Sequence, residues 1–381
     1  MLRHHKKLWF VFACLVLLRV SLPAQTPQRY FDTAVIPHPE VRLVVCYPSV
    51  GTIRAVVALR KAGVLNVKDL TVIGVYHSRE LTNYEESKNY VKANELGWFK
   101  FHEISADIKE SELFKKNAFT LEFETIFKSS DGIIFFGGPD IPASIFNQKN
   151  QPVDPDRRSL SPLYGAILHL SFAGRVPGSQ CQGPSRDPPQ LSGFGDLPGL
   201  PNDNVGTGGT LFQDLWSDVY HKMFVEDIIA LGQEYWHKNP YLLLHPEEKL
   251  SYYSWHSIKF DGTSKFRQFV SLKTGDRPYV SSSHHQAVDQ LGKDLWISAT
   301  SLDGKIAEVI EHKTFPNVLG VQFHPERFSI WEGAPKFRFS PQDKEAVTLM
   351  SFLEGHPPSL EFHKKIWAWL SQRLQEYHAA H

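Results

Sequence analysis

Short apolar runs alternate with amphipathic stretches through the first third of the chain. Residues 41–47, 70–76, 98–104 and 132–136 are rich in β-branched and aromatic side chains and have strand length. Between them, 52–62, 83–93 and 110–127 carry apolar residues at helical spacing. Strands separated by helices predict an α/β fold with a mainly parallel sheet and a ligand site beyond the carboxyl ends of its strands. A helix-like stretch at 219–231 follows, then strand-like runs at 254–260, 266–272, 295–300 and 305–312. The tail 359–377 carries Leu360, Ile366, Trp369, Leu370 and Leu374 on one helical stripe, which predicts a helix packed on the sheet.

Residues 175–207 break this pattern. They contain no Ala, Ile, Met, Tyr, Trp, Lys, Glu or His, while Gly, Pro and Ser are concentrated there. Such a composition predicts poor order.

The amino terminus sets an expectation for compartment. Arg3, His4, His5, Lys6 and Lys7 form a positive segment, 8–18 is apolar, and Leu22-Pro23-Ala24 offers a cut ahead of Gln25. This reads as a signal peptide over 1–24, with 25–381 a single domain that is periplasmic or secreted and free of the membrane after processing. The balance of 41 basic and 41 acidic residues gives no reason to expect nucleic acid as a partner. Of the three cysteines, Cys14 leaves with the signal; Cys46 lies in an apolar run and is expected to be a core thiol.

Four local patterns carry chemistry. In Gln322-Phe323-His324-Pro325-Glu326, residues two apart project from the same face of a strand, so the Glu326 carboxylate can orient the His324 imidazole as a general base. An apolar strand at 131–136 runs into Gly137-Gly138-Pro139-Asp140, where backbone N–H groups can approach an oxyanion. Ser281-Ser282-Ser283-His284-His285-Gln286-Ala287-Val288 suggests a polar pocket wall. Its paired histidines have no cysteine or acidic ligand pattern beside them in sequence, so no metal is expected. The fourth is a glycine turn before a polar pair, Gly208-Gly209-Thr210-Leu211-Phe212-Gln213-Asp214.

Taken in chain order, 137–140, 208–214, 281–288 and 322–326, the patterns resemble the γ-glutamyl hydrolase branch (peptidase family C26) of the class I glutamine amidotransferase-like hydrolases, over roughly 41–328. The resemblance implies a flavodoxin-like sheet flanked by helices. It implies His324 as base, Glu326 as its orienter, Gly137 and Gly138 as the oxyanion turn, and His284, His285 and Gln286 near the substrate. The ligand would be a small γ-glutamyl amide, with no cofactor.

The family's nucleophilic cysteine sits in a Gly-x-Cys-x-Gly elbow about a dozen residues before Gly-Gly-Thr. Here that place is Gly195-Asp196-Leu197-Pro198-Gly199, with leucine at the centre. Cys181 lies far upstream between Pro177 and Pro184, with no strand-like run before it. Codons compatible with 192–201, read one nucleotide out of frame, permit Pro-Val-Leu-Gly-Ile-Cys-Gln-Gly-Phe-Gln, which spells the missing elbow. A displaced frame over 175–207 is therefore expected, leaving the chain as written without hydrolase activity. The rival readings are a γ-glutamyl-binding pseudoenzyme, an unstable product, and a glutamine amidotransferase. An exported chain argues against the last, because its synthase partners are cytoplasmic.

Overall fold

The computed structural model describes residues 29–106, 112, 117–136, 140–149, 151, 193–195 and 199–381. The amino-terminal segment, Cys181, Leu197 and the Gly137–Gly138 turn lie outside them.

Twelve strands position the chemistry. They are β1 (Val41–Cys46), β2 (Leu70–His77), β3 (Phe99–Ile104), β4 (Gly132–Phe135), β5 (Gly193–Gly195), β6 (Leu211–Phe212), β7 (Ser254–Phe260), β8 (Tyr279–Ser282), β9 (Ala287–Val288), β10 (Leu295–Ser301), β11 (Ala307–His312) and β12 (Val318–Val321). All but β6 and β9 form one sheet in the order β3-β2-β1-β4-β5-β12-β11-β10-β7-β8. From β3 to β12 neighbouring strands are parallel. From β12 to β8 they are antiparallel.

The expected flavodoxin-like α/β architecture is present, extended at one side by an antiparallel flank. The parallel half follows the 3-2-1-4-5 variant of the doubly wound order, which reverses between β1 and β4, the switch point at whose carboxyl ends such sheets generally bind ligands.

Alternation along β1 shows why these residues make a buried central strand. Leu43 and Val45 pack into one core, with helix Val50–Lys61 and the carboxyl-terminal helix Pro357–Ala380. Val44 and Cys46 pack into the other, with Phe123 and Ile126 of helix Thr120–Lys128. Cys46 is the buried free thiol expected. The tail stripe holds too: Ile366, Trp369, Leu370 and Leu374 are buried on the sheet.

Three expectations are corrected. Residues 266–272 do not form a strand: a short helix, Lys265–Phe269, starts there because Ser264 Oγ accepts from the Arg267 N–H at 2.9 Å. The helix expected over 219–231 covers only Val225–Leu231, since His221 takes a positive φ of 55° that breaks the preceding turn.

The third correction concerns only the described part of 175–207, residues 193–195 and 199–207; the rest lies outside the described residues. Gly193–Gly195 is a strand held between β4 and β12, and Gly199–Gly206 is a helix. Backbone ladders on both sides hold β5 whatever its side chains. Pro201 falls in the helix's first turn, where its missing N–H costs no intrahelical bond.

Asn204 then ties that helix to the chain around it. Its Nδ2 donates to the carbonyls of Thr210 and Gln290, both at 3.0 Å, and its Oδ1 accepts from Gly292 N–H at 2.7 Å. Gly320 lets the helix lie close on β12: a Cβ there would meet the Leu200 Cα at 3.0 Å and Ile310 Cγ1 at 2.9 Å.

Candidate active site

The carboxyl ends of β4, β5 and β12 lie side by side, with Phe135, Gly195 and Gly320 in one row across the sheet. Each strand leads into one of the sequence patterns. β4 leads to the Gly137-Gly138 turn, β5 to the segment holding Leu197, and β12 to Gln322–Glu326. The register brings the three strand ends together; of the patterns that follow them in sequence, only Gln322–Glu326 is among the described residues.

His324 is fixed first through its backbone, whose N–H donates to Ser281 O at 2.8 Å. The following turn is clamped by two indoles: Trp331 Nε1 donates to the Pro325 carbonyl at 2.9 Å and Trp367 Nε1 at 3.3 Å. In that frame His324 Nδ1 lies 2.9 Å from Glu326 Oε1, and both side chains are buried.

A carboxylate at that distance accepts the hydrogen bond of Nδ1–H and leaves Nε2 as the acceptor, the tautomer a general base needs. Burial, with help from the neighbouring Arg327 and His284, pushes the His324 pKa well below its ordinary value, so the ring is neutral. Burial raises Glu326 to about 7 against the opposing pull of Arg327.

Nε2 faces a hydroxyl: Ser283 Oγ is 3.2 Å away. The same oxygen accepts from Arg327 Nη2 at 2.6 Å, and the guanidinium stacks on the Tyr253 ring, 3.4 Å from its centroid. Ser283 and Arg327 were missed as site residues. The only sequence signal was their placement inside or beside the two motifs.

The pocket-wall residues divide. His285 Nε2 lies 2.9 Å from Asp140 Oδ2, and its Nδ1 lies 3.6 Å from Asp214 Oδ1. Burial opposes ionisation of Asp214, but His285 and the Ser217 N–H outweigh it and hold that carboxyl below its usual pKa. Gln286 Oε1 accepts from Ile141 N–H at 3.2 Å, and its Nε2 donates to Ile141 O at 3.3 Å. His285 and Gln286 thus bind the segment just after the Gly-Gly-Pro turn to the Gln213-Asp214 end of the Gly-Gly-Thr pattern.

His284 points elsewhere. It is buried against His237, His256 and Glu308, and burial lowers its pKa to about 3. The acidic neighbour absent from its stretch of sequence is supplied by β11.

Comparison with known proteins agrees with the motifs. Residues 199–326 match the family model Peptidase C26. A protein described as glutamine amidotransferase-like from Rickettsia prowazekii is 44% identical over 73 residues, covering 19% of this chain and 24% of its own. One described as a glutamine amidotransferase from Mycobacterium tuberculosis is 45% identical over 53 residues, covering 14% and 17%. The chain thus matches a quarter or less of the length of these relatives. A crystal structure described as a GMP synthase protein from Thermoplasma acidophilum aligns with 90% of this chain and 98% of its own, at 12% identity and a TM-score of 0.40. A likeness that distant carries no argument, and the fold rests on its own sheet order.

The family match begins at Gly199, so residues 199–207 of the segment expected to be displaced lie inside it, which counts against a displaced frame reaching Thr207. Asn204, with its three hydrogen bonds, agrees. Ordered motifs, the matched segment 199–326 and the named relatives together support a class I glutamine amidotransferase-like family for this chain.

Proposed function

We propose that this protein binds small γ-glutamyl amides at the carboxyl edge of the sheet and, as written, does not hydrolyse them. The reading is carried by the His324–Glu326 pair. A neutral, carboxylate-oriented imidazole stands ready to take a proton, yet leucine occupies position 197, where the resemblance places the thiol. In the parent chemistry that thiol would lose its proton to His324 and attack the γ-carbonyl. Collapse of the tetrahedral adduct would break the C–N bond, leaving the γ-glutamyl thioester and an amine that departs with the proton from His324; water would then cleave the thioester, freeing glutamate and restoring the thiol. Without the sulfur the first bond cannot form.

A displaced frame confined to residues before Gly199 is the simplest source of the loss, and sequencing the coding DNA tests it. Export after Ala24 belongs to the same proposal and favours a free-standing hydrolase ancestor over a synthase-bound amidotransferase. Calorimetry with γ-glutamyl-γ-aminobutyrate, beside chromatographic detection of glutamate, tests the function: heat of binding without glutamate supports it. Release of ammonia from glutamine would select the amidotransferase reading.

One contact favours a second reading. Ser283 Oγ faces His324 Nε2 at 3.2 Å, so Ser283–His324–Glu326 has the connectivity of a serine triad. Against it, Ser283 follows the antiparallel strand β8, away from the strand-to-helix elbow, and its oxygen is already Arg327's acceptor. Turnover lost in Ser283→Ala would select this reading.

A further inference from the structure

Behind the His284-His285-Gln286 loop, three elements distant in sequence bring nitrogen and oxygen atoms to one buried point. His237 follows a short helical turn, His284 follows β8, and Glu308 is on β11; all three are buried, as is His256 on β7. One ligand atom from each of His237, His284 and Glu308 lies within 4.8 Å of the others.

Hydrogen-bond roles show what faces inward. His284 Nδ1 is 3.0 Å from the carbonyl of Gln286, which only accepts, so Nδ1 carries the hydrogen and Nε2 is a bare lone pair. That Nε2 is buried without a hydrogen-bond partner, 4.0 Å from Glu308 Oε1. His237 Nδ1 lies 3.2 Å from the same oxygen without hydrogen-bonding alignment, and Glu308 Oε2 is also unpartnered. Several buried acceptors therefore face one another with no donor between His284 and the carboxylate, an arrangement that costs free energy unless a cation sits among them.

The outer contacts are those a metal site needs. Tyr220 OH meets His237 Nε2 at 3.3 Å, the Gln286 carbonyl holds His284 Nδ1, and His256 Nε2 lies 3.0 Å from Glu308 Oε1. Each inward-facing residue thus has a partner fixing its orientation.

We propose that His237 Nδ1, His284 Nε2 and the Glu308 carboxylate bind a borderline divalent metal ion of the zinc type. Two imidazoles and one carboxylate suit zinc, cobalt or nickel better than magnesium or calcium, which prefer all-oxygen shells. Zinc bonds of about 2.0–2.1 Å set tetrahedral ligand atoms roughly 3.3 Å apart, so small side-chain rotations close the triangle. The ion joins β11, the loop after β8 and the segment carrying His237. It thereby holds His285 and Gln286 where they contact Asp140, Asp214 and Ile141.

The test uses the full chain, stripped with chelator, equilibrated with Zn²⁺ alone, desalted and measured by elemental analysis. Cobalt substitution is followed by visible absorption. The expected result is one Zn²⁺ per chain and the strong visible bands of a low-coordinate Co²⁺ site. Glu308→Gln and His237→Gln should lose both, while His256→Gln should bind about 10–100-fold more weakly. His378→Gln, in the separate His38–Asp131–His378 cluster, should bind normally.

Zinc retained equally by Glu308→Gln and His237→Gln would overturn the site, as would an unmodified chain that retains none. The cluster would then be held by an extra proton. If the variants fail to fold, the cobalt spectrum of the unmodified chain decides: strong bands support the site, and the weak bands of a hydrated six-coordinate ion refute it.

Discussion

Asp203 sits inside the helix Gly199–Gly206 with its carboxyl facing β12, 3.3 Å from where a Cβ on Gly320 would lie. No donor or cation among the described residues meets that carboxyl, and burial alone raises its pKa from 3.8 to about 8. Between those values the folded chain keeps a proton that the unfolded chain has released. A raised carboxyl therefore lowers stability as pH rises from about 4 to 8, and the effect is flat outside that window.

At about 1.36 kcal/mol per pKa unit, ionisation of Asp203 in the unfolded chain alone costs the fold about 4 kcal/mol at pH 7. Asp203→Asn removes the titration while keeping the shape. Urea unfolding of both chains at several pH values is the assay. The advantage of Asn over Asp should grow by about 1 kcal/mol per pH unit from 4 to 8, whatever fixed cost the amide carries. A difference that stays constant across that range would show that the carboxyl is solvated or paired, and would refute its burial.

Asn204→Ala should destabilise by about 3 kcal/mol or more, because it orphans two carbonyls and one N–H, and its urea midpoint should fall accordingly. Gly320→Ala should cost about 1–3 kcal/mol by the same measurement, since its Cβ meets the backbone of Leu200. In a Leu197→Cys chain, iodoacetamide should alkylate the new thiol faster at pH 7 than in Leu197→Cys/His324→Ala, where the proton acceptor is gone; equal rates would separate position 197 from the base. Amino-terminal sequencing of the native protein should begin at Gln25, and an intact Met1 would remove the export argument.

The central strands were readable because a strand buried on both faces is mostly apolar, and 41–46, 70–77 and 132–135 are, with Arg42, Thr71 and His77 the polar exceptions. Gly193–Gly195 was not readable, because its two neighbours, not its own residues, make it a strand. At 266–272 the aromatic spacing suits either period, and the Ser264 cap settles it as a helix. The His324–Glu326 pair was legible because its geometry is local to two residues. The partners of His284 were not, since His237, His256 and Glu308 come from three other segments and only the antiparallel flank of the sheet joins them.

The central claim is a competent base without a nucleophile. Its most direct test is glutamate release from γ-glutamyl-γ-aminobutyrate by the purified chain, run beside Cys181→Ser and Ser283→Ala. The account predicts release no faster than in buffer for all three. Robust release by the unmodified chain that disappears in Cys181→Ser or in Ser283→Ala would contradict it, and would name the residue that attacks.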